Sequence, residues 1–160
     1  MKELRDRLNA TFLNLPGKPF FAAKKTDPGN LRDLLSALAP IETDHPLIRM
    51  GPDTDGGYLL PDDLDGISTC FSPGVSFVSG FEMECASRGM DIYMADASVE
   101  APPDSHPKFR FEKKYLGAYS RGEYITMEQW IESANPDRSA DWLFQMDIEG
   151  AEYEVILNLT

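Results

Sequence analysis

Three carboxylates crowd one short run, Asp147-Ile148-Glu149-Gly150-Ala151-Glu152, set where an apolar stretch gives way to a helical pattern. No lysine or arginine stands beside them to offset the charge, so a phosphate ligand is disfavoured. The run suits a cationic or hydroxyl-bearing ligand, and Asp147 or Glu149 could orient an acceptor or take its proton. Two further places carry chemistry of a matching kind. In Phe71-Ser72-Pro73-Gly74 the glycine can let backbone approach a ligand, and the helix that follows offers free N–H groups. Asp96 comes after Gly74 at about the twenty-residue spacing of an acid that accepts hydrogen bonds from a ribose. Each feature alone has an ordinary explanation. A glycine after a strand serves a turn, an aspartate there caps one, and Glu149 or Glu152 can sit idle in a helix's first turn, favoured by the macrodipole. Their joint placement points to a site.

The elements that must position these residues alternate. Ile67 to Phe71 is a short apolar run, a buried strand that leads into Ser72-Pro73-Gly74. A helix is expected from Phe77 to Arg88, with Phe81 and Cys85 on the Phe77 face and Gly89 capping its end. Asp91 to Ala95 reads as a second strand stopping at Asp96, and Phe109 to Tyr115 alternates as a half-exposed third. Thr126 and Gln129 form a capping box for a helix closed by Asn135-Pro136. Trp142 to Met146 is a strand ending at Asp147, and the helix after it places Ala151, Val155 and Leu159 on one face. This succession argues for a mostly parallel sheet covered by helices. In such a sheet the ligand crevice lies outside the carboxyl ends of the strands, where Gly74, Asp96 and Asp147 all fall. Upstream, Asn30 is expected to cap a helix with Leu31, Leu34, Leu35 and Leu38 on one face, ended by Pro40. Phe12 to Pro28 reads as an irregular arm.

Composition narrows the class. The 160 residues amount to one domain's worth, 42% hydrophobic and 26% charged, as in a folded globular domain. A net charge of -12 disfavours nucleic acid and anionic lipid as partners, since both need a basic face. No apolar run is long enough for a membrane span, and the opening residues mix charges where a signal peptide would be apolar. The expected location is the cytoplasm. Cys70 and Cys85 give neither a disulfide framework nor a zinc site. His45 and His106 each precede proline and read as loop residues. Asp53-Thr54-Asp55-Gly56 has the look of a calcium loop, but its twelfth position is Leu64 where glutamate is needed, so no metal is expected.

The run from Leu143 to Ile156, LFQMDIEGAEYEVI, resembles the fourth-strand motif of FkbM-type methyltransferases: an apolar strand, Asp, an aliphatic residue, Glu, Gly, any residue, Glu. ITMEQWI, from Ile125 to Ile131, resembles the segment preceding that motif in the family. RMGPDTDGGYLLPDDL from Arg49, with FSPGVSFVSGFEMECASRGMDIYMADAS from Phe71, resembles a subgroup having a DGGY element before a modified glycine motif. The resemblance runs from about Arg49 to the end, with the four pieces in the family order. It implies an α/β fold, a Rossmann-type (class I methyltransferase-like) mostly parallel sheet with helices on both faces, in the strand order 3-2-1-4. It also implies an S-adenosylmethionine-dependent enzyme methylating a hydroxyl of a sugar or small metabolite. Gly74 and its neighbours Ser72 and Ser76 would line the methionine part of the cofactor, Asp96 would bind the ribose hydroxyls, and Asp147 would face the methyl-donor crevice, with Glu149 the second candidate for catalysis. DGGY is expected to form a tight turn entering a short strand, with Tyr58 packed towards the site.

Two departures accompany the resemblance. Ser72-Pro73-Gly74 lacks both the acid and the second glycine usual in methyltransferases. The family sheet has seven strands, whereas this chain reaches Thr160 in the helix after the fourth, so the strands shaping the acceptor pocket would lie beyond it or come from a partner. Residues 1–45 are expected to form a helical and irregular extension, and 46–160 the Rossmann domain without its C-terminal strands. The uncovered edge of the fourth strand is expected either to pair across a chain interface in a homo-oligomer or to lie bare in a marginally soluble fragment. Two other functions fit parts of the pattern: a catalytically idle methyltransferase-like domain for binding or assembly, and a nicotinamide-dependent oxidoreductase, for which the GxGxxG fingerprint is missing.

Overall fold

The computed structural model describes residues 27–75 and 77–159 of the chain. The chain divides into two compact units, Met1–Glu42 and Thr43–Thr160. In the first unit the described element is helix α1, Pro28–Ala37. Its N-cap is Asp27, and not Asn30 as the sequence pattern indicates. The Asp27 carboxylate accepts the N–H groups of Gly29 and Asn30 at 2.8 and 3.2 Å, and Pro28 takes the first position, where a missing N–H costs nothing. The leucine face buries none of its residues: Leu31, Leu34, Leu35 and Leu38 are exposed. The arm expected from Phe12 lies, up to Thr26, outside the described residues.

The second unit begins with an antiparallel hairpin, β1 (Leu47–Met50) with β2 (Tyr58–Pro61), in which Met50 faces Tyr58. Then come β3 (Thr69–Pro73), helix α2 (Gly80–Ser87), β4 (Asp91–Ala95) and β5 (Phe109–Glu112). A ribbon of β6 (Tyr115–Leu116) and β7 (Tyr124–Ile125) follows, then helix α3 (Met127–Ala134), β8 (Trp142–Phe144) and helix α4 (Glu152–Leu157). Four strands form a parallel sheet in the order β5-β4-β3-β8. Numbered along the sheet's own four strands, that is the expected 3-2-1-4.

Side-chain alternation splits the sheet into two faces. Cys70, Ile92 and Met94 point to one, where Phe81, Cys85 and Ala86 of α2 cover them together with Met50 and Met90. Phe71, Tyr93 and Ala95 point to the other, under Trp130 of α3, Val155 of α4 and Leu116. Helices therefore cover both faces, as a parallel sheet requires. Phe71 is the centre of the second face: its ring stacks on Tyr93 at 5.2 Å and meets Trp130 edge-on at 5.1 Å.

Several boundaries differ from those the sequence indicates. Strand β3 starts at Thr69, because Ile67 donates to the Leu64 carbonyl in a turn and pairing with β4 begins at the Thr69 and Asp91 register. Helix α2 starts at Gly80 instead of Phe77, which is 85% exposed in the preceding loop. The Ser79 hydroxyl at its N-cap bonds Asp104 rather than a helical N–H. The helix end is as expected: Gly89 donates to Ala86 and Met90 to Cys85, the paired bonds of a Schellman motif. Thr126 accepts the Gln129 N–H, and Asn135 closes α3 in the left-handed conformation. The half-exposed third strand stops at Glu112, so Tyr115 belongs to the ribbon.

Because Phe71 is fully buried and touches four aromatic rings, Phe71→Ala should cost about 3–5 kcal/mol in urea unfolding. Tyr153→Ala, on an exposed position of α4, should change stability by less than about 0.5 kcal/mol. Equal losses at the two positions would mean that this face of the sheet is not a packed core.

Candidate functional site

The turns after β3, β4 and β8 meet at the carboxyl end of the sheet. Gly74 has φ +88, and a Cβ there would run into the carbonyl oxygen of Asp147, so glycine lets the two turns touch backbone to backbone. Its N–H is occupied by the Ala95 carbonyl at 3.0 Å. The next N–H, of Val75, donates to Asp96 Oδ2 at 3.0 Å. The turn thus spends these two donors on β4, and they are not free for a ligand as the glycine motif suggests. Asp96, only 7% exposed, also accepts the N–H and hydroxyl of Ser98 through Oδ1 at 2.7 and 2.6 Å. A carboxylate gripped by local N–H and O–H donors holds the turns in register.

Around this junction lie two adjoining cavities. The larger, about 360 Å³, is lined by Gly74, Ala95, Asp96, Ser98, Tyr115, Leu116, Tyr124, Asp147, Ile148, Glu149 and Ala151. The smaller, about 210 Å³, is lined by Asp55, Gly56, Tyr58, Gly74, Val75, Phe77, Val78, Glu82, Asp147 and Glu149. Gly74, Asp147 and Glu149 belong to both. Of the residues expected at a site, Gly74, Asp96, Asp147 and Glu149 are therefore brought together. Ser72 is not: fully buried, it points under α2, its Oγ between Glu82 Oε1 at 2.5 Å and Gln145 Oε1 at 2.8 Å. Ser76 lies outside the described residues. His45 and His106 are at neither cavity.

Asp55 comes from the hairpin loop, Glu82 from α2, Asp96 from the turn after β4, and Asp147 and Glu149 from the single turn after β8. Glu149 adopts φ +58, an uncommon conformation for a residue with a side chain, and Gly150 follows at φ +93. Glu152 turns back to accept the Ile148 N–H at 2.7 Å, which holds its carboxyl below the ordinary range. Glu152, the first residue of α4, thus ties the helix start to the turn before it, while Asp147 and Glu149 are presented to the cavities. Among the described residues no three His, Cys, Asp or Glu side chains converge to hold a metal ion. Five carboxylates, those of Asp55, Glu82, Asp96, Asp147 and Glu149, line the two cavities with no Lys, Arg or His among the described lining residues. Such walls attract a positive ligand and repel phosphate.

The hairpin delivers Tyr58. Gly51-to-Gly57 is a tight loop braced by Arg49, which donates to the carbonyls of Pro52 and Thr54 at 2.9 Å each. Gly56 has positive φ, and a Cβ on Gly57 would run into the Pro52 carbonyl. The loop closes on β2 so that the Tyr58 hydroxyl donates to Asp147 Oδ2 at 3.2 Å. The DGGY element thus forms the expected tight turn and aims its tyrosine at the site. Burial first, then the charge of Asp147 and the bond to it, pushes the Tyr58 phenol up to about 12.

Sequence patterns did not mark Tyr115 and Tyr124, whose rings lie 5.5 Å apart at the wall of the larger cavity, with Tyr119 a further 5.5 Å from Tyr124. The ribbon bringing them together is two residues per strand, too short for periodicity to register. Ser98 could have been read from Asp96-Ala97-Ser98, the pattern of an Asx turn. Glu82 carried no signal, because it occupies an ordinary helical position. No protein-family model, curated protein or solved structure matches the chain.

Asp147→Asn should lower the Tyr58 pKa from about 12 while leaving it above the ordinary tyrosine value, because burial persists when the charge is removed. Carbon-13 NMR of labelled tyrosine, titrated through the alkaline range, reads this directly. An unchanged Tyr58 titration would show that the phenol and Asp147 do not interact.

Proposed function

We propose that this chain is a Rossmann-type methyltransferase domain of the FkbM-like kind, binding S-adenosylmethionine across the two cavities. The observation that carries the reading is the meeting of Gly74, Asp96, Asp147 and Glu149 at the carboxyl end of a parallel sheet, around walls that are acidic without a basic residue among those described. The donor set fits the cofactor's chemistry. A sulfonium and an ammonium are both positive, and carboxylates stabilise them; a ribose offers hydroxyls that carboxylates and Ser98 accept; a nucleobase offers a flat face for Tyr115 and Tyr124. The same walls disfavour a dinucleotide with its phosphates, which counts against a nicotinamide cofactor.

Bound S-adenosylmethionine supplies a methyl group on a positively charged sulfur. The chain's own residues contribute position and charge. Gly74 and the Asp147 backbone fix the floor shared by the cavities, and the Tyr58 hydroxyl holds the Asp147 carboxylate towards them. Asp147 orients a hydroxyl of a sugar or small-metabolite acceptor and receives the proton that this hydroxyl gives up as its oxygen takes the methyl group. Glu149 stands next to it as the second acceptor of that proton.

Calorimetric titration tests the reading. S-adenosylmethionine should bind about tenfold or more tightly than S-adenosylhomocysteine at low salt, because only the first carries charge at sulfur. The difference should shrink in about 1 M salt, where screening reaches contact distances. NAD should not bind. Binding of NAD, or of neither nucleoside, would overturn the proposal.

A further inference from the structure

Glu82 is the lining residue whose surroundings do not balance. It is 5% exposed, yet no Lys, Arg or His of the described chain pairs with it. The groups facing it are neutral or negative: Asp55 of the hairpin loop, Tyr58 of β2, Cys70 and Ser72 of β3, Asp104 of the loop after β4, Gln145 of the segment after β8, and Asp147 and Glu149 beyond it. Ser72 Oγ lies within hydrogen-bond distance of two acceptors, Glu82 Oε1 and Gln145 Oε1, but a hydroxyl has one proton to give. The contact set is satisfied if Glu82 is a carboxylic acid donating to Ser72, which donates in turn to Gln145. Turning the Gln145 amide would also supply a proton. It would leave Glu82 charged, buried and facing other carboxylates with no cation to offset it, which is costly.

We propose that Glu82 carries a proton in the ligand-free protein and gives it up to solvent when a cationic group enters the smaller cavity. In this exchange the carboxylic acid becomes a carboxylate facing the cation, the proton goes to buffer, and the buried charge stays balanced. Burial holds the Glu82 carboxyl above the ordinary glutamate range, despite the opposing bonds from Ser72 and from its own backbone N–H. Its contribution to stability is therefore complete below the ordinary glutamate pKa and is lost as pH rises through the raised folded value. A cation in the cavity supplies the missing countercharge, so binding and proton release are linked. The inference rests on the proposed function for the identity of that cation, the positively charged cofactor.

Two measurements test it. In the ligand-free protein at neutral pH, infrared difference spectra between wild type and Glu82→Gln should show a protonated carboxyl C=O band that the variant lacks. Absence of the band overturns the proposal. Titrating S-adenosylmethionine by calorimetry in buffers of different ionisation enthalpy should show release of about one proton per bound molecule in wild type and none in Glu82→Gln. Binding without release, or release that persists in the variant, overturns the linkage while leaving the proposed function standing. If S-adenosylmethionine does not bind at all, the proposed function falls, and the infrared band decides this inference with tetramethylammonium as the probe. Loss of the band on its addition supports the linkage, and persistence refutes it.

Discussion

At the carboxyl end of the sheet there is no room for a side chain between the turn after β3 and the segment after β8. Gly74 meets the Asp147 carbonyl directly, and this contact fixes where everything else at the site can be. It sets the floor common to both cavities and decides which way the Asp147 carboxylate leaves the backbone. It goes with the donor pattern: with one side of the turn against Asp147, the N–H groups of Gly74 and Val75 are used by Ala95, at the end of β4, and Asp96, just after it. Asp96 also fixes its own turn by accepting the N–H and hydroxyl of Ser98. The turns after β3 and β4 thus hold each other through short hydrogen bonds and the turn after β8 packs on Gly74 backbone to backbone, while the apolar faces beneath them supply the bulk of the stability.

Charge gives this junction its character. The chain as a whole is acidic, and five of its carboxylates gather on the walls of the two cavities. Tyr58, raised by burial and by Asp147, remains a donor through the physiological range, so it fixes Asp147 without competing for its proton. Glu152 and Asp96 are tied to N–H groups and serve the turns. Asp147, Glu149, Asp55 and Glu82 line the cavities beside Asp96 as the carboxyls a ligand would meet. A cation is the species that relieves their mutual repulsion.

Much of the sheet was legible in the sequence, because long-range order follows from a strong local pattern. The strand from Asp91 to Ala95, the Thr126 cap and the Gly89 terminus are each written in a few neighbouring residues. Element starts were less legible. Whether α2 begins at Phe77 or Gly80 depends on where the Val75 N–H and the Ser79 hydroxyl find partners, and both partners, Asp96 and Asp104, are about twenty residues away or more. The sequence around Gly74 implies closeness to a ligand, whereas the atom it approaches is the chain's own carbonyl. A glycine in a sequence reveals that something comes close, and leaves open what. The tyrosine wall and Glu82 went unmarked for the same reason: a two-residue ribbon and a single helical position carry no periodicity.

If the acidic junction at the carboxyl end of the sheet holds a cofactor, as proposed, amide NMR spectra recorded while S-adenosylmethionine is added should locate it there. Saturable shifts are expected in the turns that line the cavities, around Gly74 and Val75, Asp96 to Ser98, Tyr115, Tyr124 and Asp147 to Ala151, with the centre of α2 and the outer strand β5 little changed. Shifts absent altogether, or clustered away from these turns, would contradict the proposal.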